Sequence, residues 1–234
     1  MLLSRRLKAV ADFVPQDMIC ADIGSDHGYL PIYLVGERII PHAIAADIGK
    51  GPLESAALNV RKYHLEDKIE LRLGNGLEVL LPNEVSCVTI CGMGGGLICE
   101  ILNNSPQITA SLQRLVLAPN VGAHLVRHWA GENGWQITAE ELIEEDGHFY
   151  PIIRLEKGEM AELSAAEEFA GPLLLKNKHE LLGDYLNYWR HKELKLAMQL
   201  LAVGQAETDE KAQALQEKWS AIEEEYQCHF HSKL

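Results

Sequence analysis

The sequence predicts an α/β chain: an open, seven-stranded, mainly parallel sheet with helices on both faces, followed by an antiparallel helical hairpin. Three observations predict it. Apolar runs of strand length, most of them ending in Asp or Gly, alternate with amphipathic segments along the first two thirds of the chain. The last such run, Pro151-Ile152-Ile153-Arg154-Leu155, follows a polar loop read at His148, Phe149 and Tyr150, and forms a final antiparallel strand. After Gly158 the alternation gives way to Ala- and Glu-rich sequence with apolar residues three and four apart.

Leu7, Val10, Ala11 and Val14 lie on one side of a short helix, and Pro15 separates it from the first strand, residues 19–23. That strand belongs to MICADIGSDHGYLPIYL, residues 18–34, the stretch around which the chain is organised. Its apolar run ends in Asp22, Ile23 and Gly24; a polar bend carries Ser25, Asp26, His27 and Gly28; an apolar helix starts at Tyr29. Gly24 and Gly28 let backbone approach a ligand closely, at the strand-to-helix passage where open α/β sheets bind ligands. The GxGxxG fingerprint is absent, and acidic Asp22 and Asp26 do not make a pyrophosphate nest. An amino-acid-bearing cofactor fits instead: its ammonium approaches the carboxylates while polar backbone groups hold its carboxylate.

The second strand, residues 43–46, ends at Asp47, which either accepts hydrogen bonds from both hydroxyls of a ribose or caps the helix expected over 52–63. Residues 69–73 alternate as a third strand into Gly74-Asn75-Gly76, a contact for a base edge or a tight turn. The fourth strand, 85–91, enters CGMGGGLICEIL. Here Gly92, Gly94, Gly95 and Gly96 remove obstruction and Met93 adds an apolar contact, while the missing Gly-Lys-Ser/Thr ending argues against a P-loop. The loop reads as a floor under a cofactor and an incoming planar base, or as close packing of strand on helix. A fifth strand over 112–117, the turn Ala118-Pro119-Asn120, a helix through His124, Leu125 and Trp129, and a strand pair within 134–155 complete the sheet. This divides the chain into a domain of residues 1–157 and an extension of 158–234. In the extension, Leu182, Tyr185, Trp189, Leu196 and Val203 mark one helix and Leu215, Trp219, Ile222 and Tyr226 another, with a break at 204–209. They predict a coiled-coil hairpin.

Bulk charge weakens a general affinity for polyanions: 21 Lys and Arg face 34 Asp and Glu, a net charge of -13. Local clusters remain, Arg5, Arg6 and Lys8 in one place and Arg61, Lys62, Lys68 and Arg72 in another, each read equally well as solvated surface. No long apolar region opens the sequence as a signal peptide would, and no segment is apolar at transmembrane length, so no membrane partner is expected. Cys20, Cys87, Cys91, Cys99 and Cys228 lack CxxC spacing and fit a reduced, cytoplasmic compartment as small core residues; no metal site is expected. Oligomeric state is left open, a monomer being compatible with every feature.

Taken in order, ADIGSDHGYLP, AADIGKGPLESA, GNGLEVL, ICGMGGGLI, LAPN and EEDGHFYPI resemble the bacterial tRNA adenine-22 N1-methyltransferase family across essentially the whole chain. The resemblance implies a Rossmann-like methyltransferase sheet, S-adenosyl-L-methionine as cofactor, tRNA as partner, and methyl transfer to N1 of adenine 22. It assigns Asp22, Gly24, Ser25, His27, Gly28, Asp47, Ile48, Asn75, Gly76, Gly92 and Met93 to the cofactor. Asp26 and Tyr29 go to the chemistry, Asp26 as acceptor for the adenine N6 amino group or as a counter-charge to the methylated base. Two departures stand out: Asn75 replaces an acid of the GDG form, keeping amide hydrogen bonding without charge, and LAPN replaces LQPN, keeping Asn120. The fourth-strand loop has no DPPY or NPPY, which argues against an N6-adenine methyltransferase. Two other classes remain: a cofactor-binding RNA-binding module without transfer, and a small-molecule methyltransferase. Lys176, Lys178, Arg190, Lys192 and Lys195 of the extension are expected to face tRNA phosphates.

Overall fold

Seven strands form from the apolar runs: β1 (Cys20–Ile23), β2 (Ala43–Asp47), β3 (Ile69–Leu73), β4 (Cys87–Cys91), β5 (Arg114–Ala118), β6 (Trp135–Glu145) and β7 (His148–Lys157). The computed structural model describes residues 1–231 and 234; positions 232 and 233 of the expected extension lie outside the described residues. The strands make one sheet in the order β3-β2-β1-β4-β5-β7-β6. β1 to β5 pair in parallel, and β7 runs antiparallel to both β5 and β6. Because β1 lies between β2 and β4, the chain turns outward in opposite directions on its two sides. The crevice at the C-terminal ends of β1 and β4 is the switch point of an open α/β sheet.

The near-continuous apolar character of the parallel strands follows from burial on both faces. Ala21, Ile23, Val88, Ile90, Leu115 and Leu117 enter one core layer with residues of α4 (Gly95–Asn104), α5 (Pro106–Ser111) and α6 (Ala123–Glu132). Cys20, Ala43, Ala45, Cys87 and Val116 enter the other with residues of α1 (Arg5–Phe13), α2 (Tyr29–Gly36) and α3 (Lys50–Lys62). Ser4 caps α1, its Oγ accepting from the Leu7 amide at 3.3 Å.

Two local expectations change. Residues 148–150 are not a loop but the first part of β7, paired with residues 143–145 of β6. The reversal occurs at Asp146 and Gly147, both at positive φ (53° and 72°), the geometry that an Asp-Gly hairpin turn supplies. Nor was α5 expected; Pro106 opens it, at a position where the missing amide costs nothing.

The chain separates into units of Met1–Met160 and Ala161–Leu234. The second contains α7 (Ala165–Ala170), α8 (Pro172–Lys176), α9 (Leu182–Val203) and α10 (Ala206–Phe230). Arg190 meets Glu223 and Glu193 meets Lys218, so a later position on α9 meets an earlier one on α10 and the two run antiparallel. The break is only Gly204 and Gln205, shorter than 204–209, because Gly204 takes φ 68° and Gln205 and Thr208 cap the next helix reciprocally. Leu196 and Val203 are exposed; buried Ala197 and Ala212 take the seam positions there.

Candidate active site

The bend after β1 is strapped to its neighbours through backbone groups. Gly24 and Ser25 both donate their amides to the Ala46 carbonyl, at 2.8 and 2.9 Å, and Asn59 Nδ2 donates to the His27 carbonyl at 2.9 Å. Gly24 sits at φ 76°, and a Cβ there would lie 2.4 Å from Met93 Cε, so the bend and the loop after β4 touch only because position 24 has no side chain. The glycine run after β4 divides between two surroundings. Gly95 gives close packing: its amide donates to the Val121 carbonyl at 2.8 Å, and a Cβ would fall 2.0 Å from the Gly122 oxygen. Gly92 and Met93 instead border a cavity.

That cavity, about 470 Å³, opens at the ends of β1, β2 and β4 and is lined by Asp22, Gly24, Asp26, His27, Tyr29, Asp47, Gly92 and Met93 from the expected set. Asp22 is buried and accepts a 2.6 Å hydrogen bond from Thr89 Oγ1. Burial pushes its carboxyl above the ordinary range; the hydroxyls of Ser25 and Thr89 oppose the rise, and the charge of Asp47 adds to it. No Lys, Arg or His pairs with it among the described residues. Asp47 accepts from the Gly49 amide at 2.7 Å, which aims the carboxylate and leaves acceptor capacity for a ligand. At the mouth, His27 stacks on Tyr29 with ring centroids 5.3 Å apart, and its Nε2 lies 3.5 Å from Asp26 Oδ1.

The other expected residues occupy different places. Asn75 and Gly76 line a separate recess of about 40 Å³ with Leu97 and Ile101, tied to the main site by the Gly74 amide donating to the Asp47 carbonyl at 3.0 Å. Gly28 packs against Ala56, Ser25 is buried beneath the bend, and Ile48 is 71% exposed. Four lining residues were not foreseen: Arg6, Leu7, Leu30 and Cys91. Cys91 closes β4, and burial, with Asp22 adding to it, holds its thiol far above the usual range. Among the described residues there is no group of three or more His, Cys, Asp or Glu able to hold a metal, and no helix is long and apolar enough to cross a membrane.

Known proteins resemble this chain in sequence and fold. A family model described as a methyltransferase domain matches residues 3–153. The tRNA (adenine(22)-N(1))-methyltransferase of Bacillus subtilis is 38% identical over 193 residues, 80% of this chain and 79% of that protein. The crystal structure of the B. subtilis m1A22 tRNA methyltransferase superposes with a TM-score of 0.89 at 33% identity, covering 96% of this chain and 99% of that one. The M. capricolum enzyme in complex with S-adenosyl-homocysteine superposes with a TM-score of 0.84 at 32% identity, covering 98% and 100%.

Proposed function

The chain belongs to the tRNA (adenine(22)-N(1))-methyltransferase family, and from that premise we propose that it transfers the methyl group of S-adenosyl-L-methionine to N1 of adenine 22 in tRNA. The residues present suit that cofactor. The observation that carries the reading is Asp22: a buried carboxylate without a cation of its own, at the sheet's switch point, matches a ligand ammonium. Asp47 at the end of β2 suits the ribose hydroxyls, and the clearance at Gly24 and Gly92 lets the ligand lie against backbone. Asn75 and Gly76 border the recess suited to a base edge.

The cofactor supplies an electrophilic methyl on a sulfonium. The adenine N1 lone pair forms the new N–C bond as the S–C bond breaks; the base becomes cationic, and no proton has to leave before attack. What the protein contributes is orientation and charge. The stacked His27 and Tyr29 rings offer a platform for the base, Met93 an apolar floor, and Asp26, 64% exposed at the mouth, an acceptor for the N6 amino group and a counter-charge to the product. No general base is required.

In the second unit Lys176, Lys178, Lys192 and Lys195 are exposed and suited to tRNA phosphates, whereas Arg190 is already neutralised by Glu223 at 2.6 Å. The extension is therefore assigned to tRNA engagement and residues 1–157 to cofactor and chemistry. Five cysteines without a disulfide accord with a cytoplasmic site of action. Incubating purified protein with labelled S-adenosyl-L-methionine and unmodified tRNA, then mapping the methylated nucleotide, tests the reading: label at N1 of adenine 22 supports it. Binding without transfer would make the chain an RNA-binding module, and transfer only to small molecules would overturn the substrate.

A further inference from the structure

We propose that Asn59 is a positioning residue for the incoming adenine: without lining the cavity, it holds the His27 carbonyl and so keeps the bend after β1 in the conformation that stacks His27 on Tyr29 at the mouth. The proposal rests on the reading of those two rings as a platform for the base, and it names what keeps the platform in place.

Among the described residues, eight non-glycine residues have positive φ, and seven of them are exposed, at turns and helix ends. His27, at φ 62°, is the eighth: it is half-buried and stands on the cavity wall. Gly28 follows it at φ 65°, so two consecutive residues of the bend are left-handed. A residue with a side chain adopts that conformation at a cost, and persists in it where its surroundings hold it. Two residues of α3, one turn apart, supply the hold. Ala56 lies against Gly28, where a Cβ would meet the Ala56 Cβ at 3.3 Å, and half-buried Asn59 donates its Nδ2 to the His27 carbonyl at 2.9 Å.

The bend has a second, separate anchor, the Gly24 and Ser25 amides on the Ala46 carbonyl. Its donor side is thus tied to β2 and its mouth side to α3. Releasing Asn59 frees the mouth side alone. With His27 at an ordinary negative φ, its ring leaves the backbone in another direction. The stack on Tyr29, with centroids 5.3 Å apart and planes within 10°, is then lost, and with it the approach of Nε2 to Asp26 Oδ1 at 3.5 Å. A displaced platform carries N1 of the base off the line through sulfur and methyl, and displacement at the methyl is steep in that error.

The test is a double-mutant cycle in the intact protein: wild type, Asn59→Ala, His27→Gly and the double variant, with Asn59→Asp as a second break that keeps the outline and cannot donate. Glycine at position 27 takes a positive φ without strain and needs no strap. Alanine is a better helix former than asparagine, so α3 itself should not suffer. Circular dichroism checks folding, calorimetry the affinity for S-adenosylmethionine, and steady-state kinetics kcat and KM for tRNA. Asn59→Ala and Asn59→Asp should each lower kcat by about 10- to 100-fold, the scale of a misplaced reactant, while cofactor affinity stays within about 2-fold of wild type. In the His27→Gly background, whose own kcat is already reduced, Asn59→Ala should change kcat by less than about 2-fold. A wild-type kcat in either single Asn59 variant overturns the proposal. So does an equal loss in both backgrounds, which would have Asn59 act through something other than His27, and so does a loss confined to cofactor affinity, which would make the strap part of the donor site. His27→Gly turning over like wild type would overturn the platform reading itself, and the proposal with it.

Discussion

Two places in the first unit bury charge, and they differ in how it is balanced. Between α6 and β6, Arg127 Nε meets Glu140 Oε1 at 2.7 Å with both side chains fully buried; the charges answer each other within the fold. At the end of β1, buried Asp22 has hydroxyls for company and no cation, and Asp47 and Asp26 stand in the same cavity. A charge matched inside the fold is structural; one left unmatched at an opening is held ready for a ligand.

The comparison is broken most forcefully at the matched pair. Arg127→Met or Glu140→Gln alone should destabilise the protein by about 3–5 kcal/mol, because the survivor is left buried and uncompensated, as urea unfolding would register. Replacing both with apolar residues of similar volume should recover most of the loss. If the single variants unfold at the wild-type midpoint, the pair is not the structural counterpart drawn here.

At the unmatched end the loss should appear in binding. Asp47→Ala should weaken S-adenosylmethionine binding by about 1–3 kcal/mol through loss of a charged acceptor, with little change in unfolding midpoint. Calorimetry giving wild-type affinity in the folded variant would remove Asp47 from the cofactor site. Asp26→Asn sharpens the division within the cavity itself. Its side chain stands at the mouth, so turnover at saturating tRNA and cofactor should fall by about 10-fold or more while cofactor affinity stays close to wild type. A loss confined to cofactor affinity would move it to the donor side.

The unmatched half was legible in sequence where the matched half was not. An acid or glycine at the end of an apolar run marks a strand's C-terminal end, and parallel pairing gathers such ends on one edge; hence Asp22, Gly24, Asp47 and Gly92 could be found. Arg6 escaped because the helical stripe of Leu7, Val10, Ala11 and Val14 tells which residues face inward and says nothing of a flanking side chain that reaches the cavity. Ser25 and Gly28 show the converse: a bend's sequence does not distinguish residues that touch a ligand from those that shape the bend. The Arg127–Glu140 pair joins a helix to a strand across a register that no local spacing encodes. The β6–β7 turn was misplaced for a different reason. His148, Phe149 and Tyr150 stand just before the apolar run at Pro151, while the stronger turn signal is the two-residue Asp146-Gly147 beside them.

The smallest expected change in stability, and the most diagnostic, belongs to Asp22→Asn. Burial raises the folded-state pKa of Asp22 above its unfolded value. A group raised in this way contributes stability that is fully present below the unfolded pKa and is lost as pH rises through the folded one. Above its folded-state pKa the ligand-free protein therefore carries a charged Asp22 at a cost. Asparagine has the same outline and can still accept from Thr89, so the ligand-free variant should equal or exceed wild type in stability, by about 1 kcal/mol or less. That margin should shrink as pH falls through the raised folded-state pKa, where the wild-type carboxyl takes up its proton. Saturating S-adenosylmethionine should reverse the ranking, because a ligand stabilises in proportion to its affinity and the ammonium would now face an amide. Thermal unfolding of both proteins across pH, with and without cofactor, checks each step. A variant less stable than wild type without ligand at neutral pH would mean that Asp22 is matched within the fold after all, and the contrast with Arg127 and Glu140 would fail.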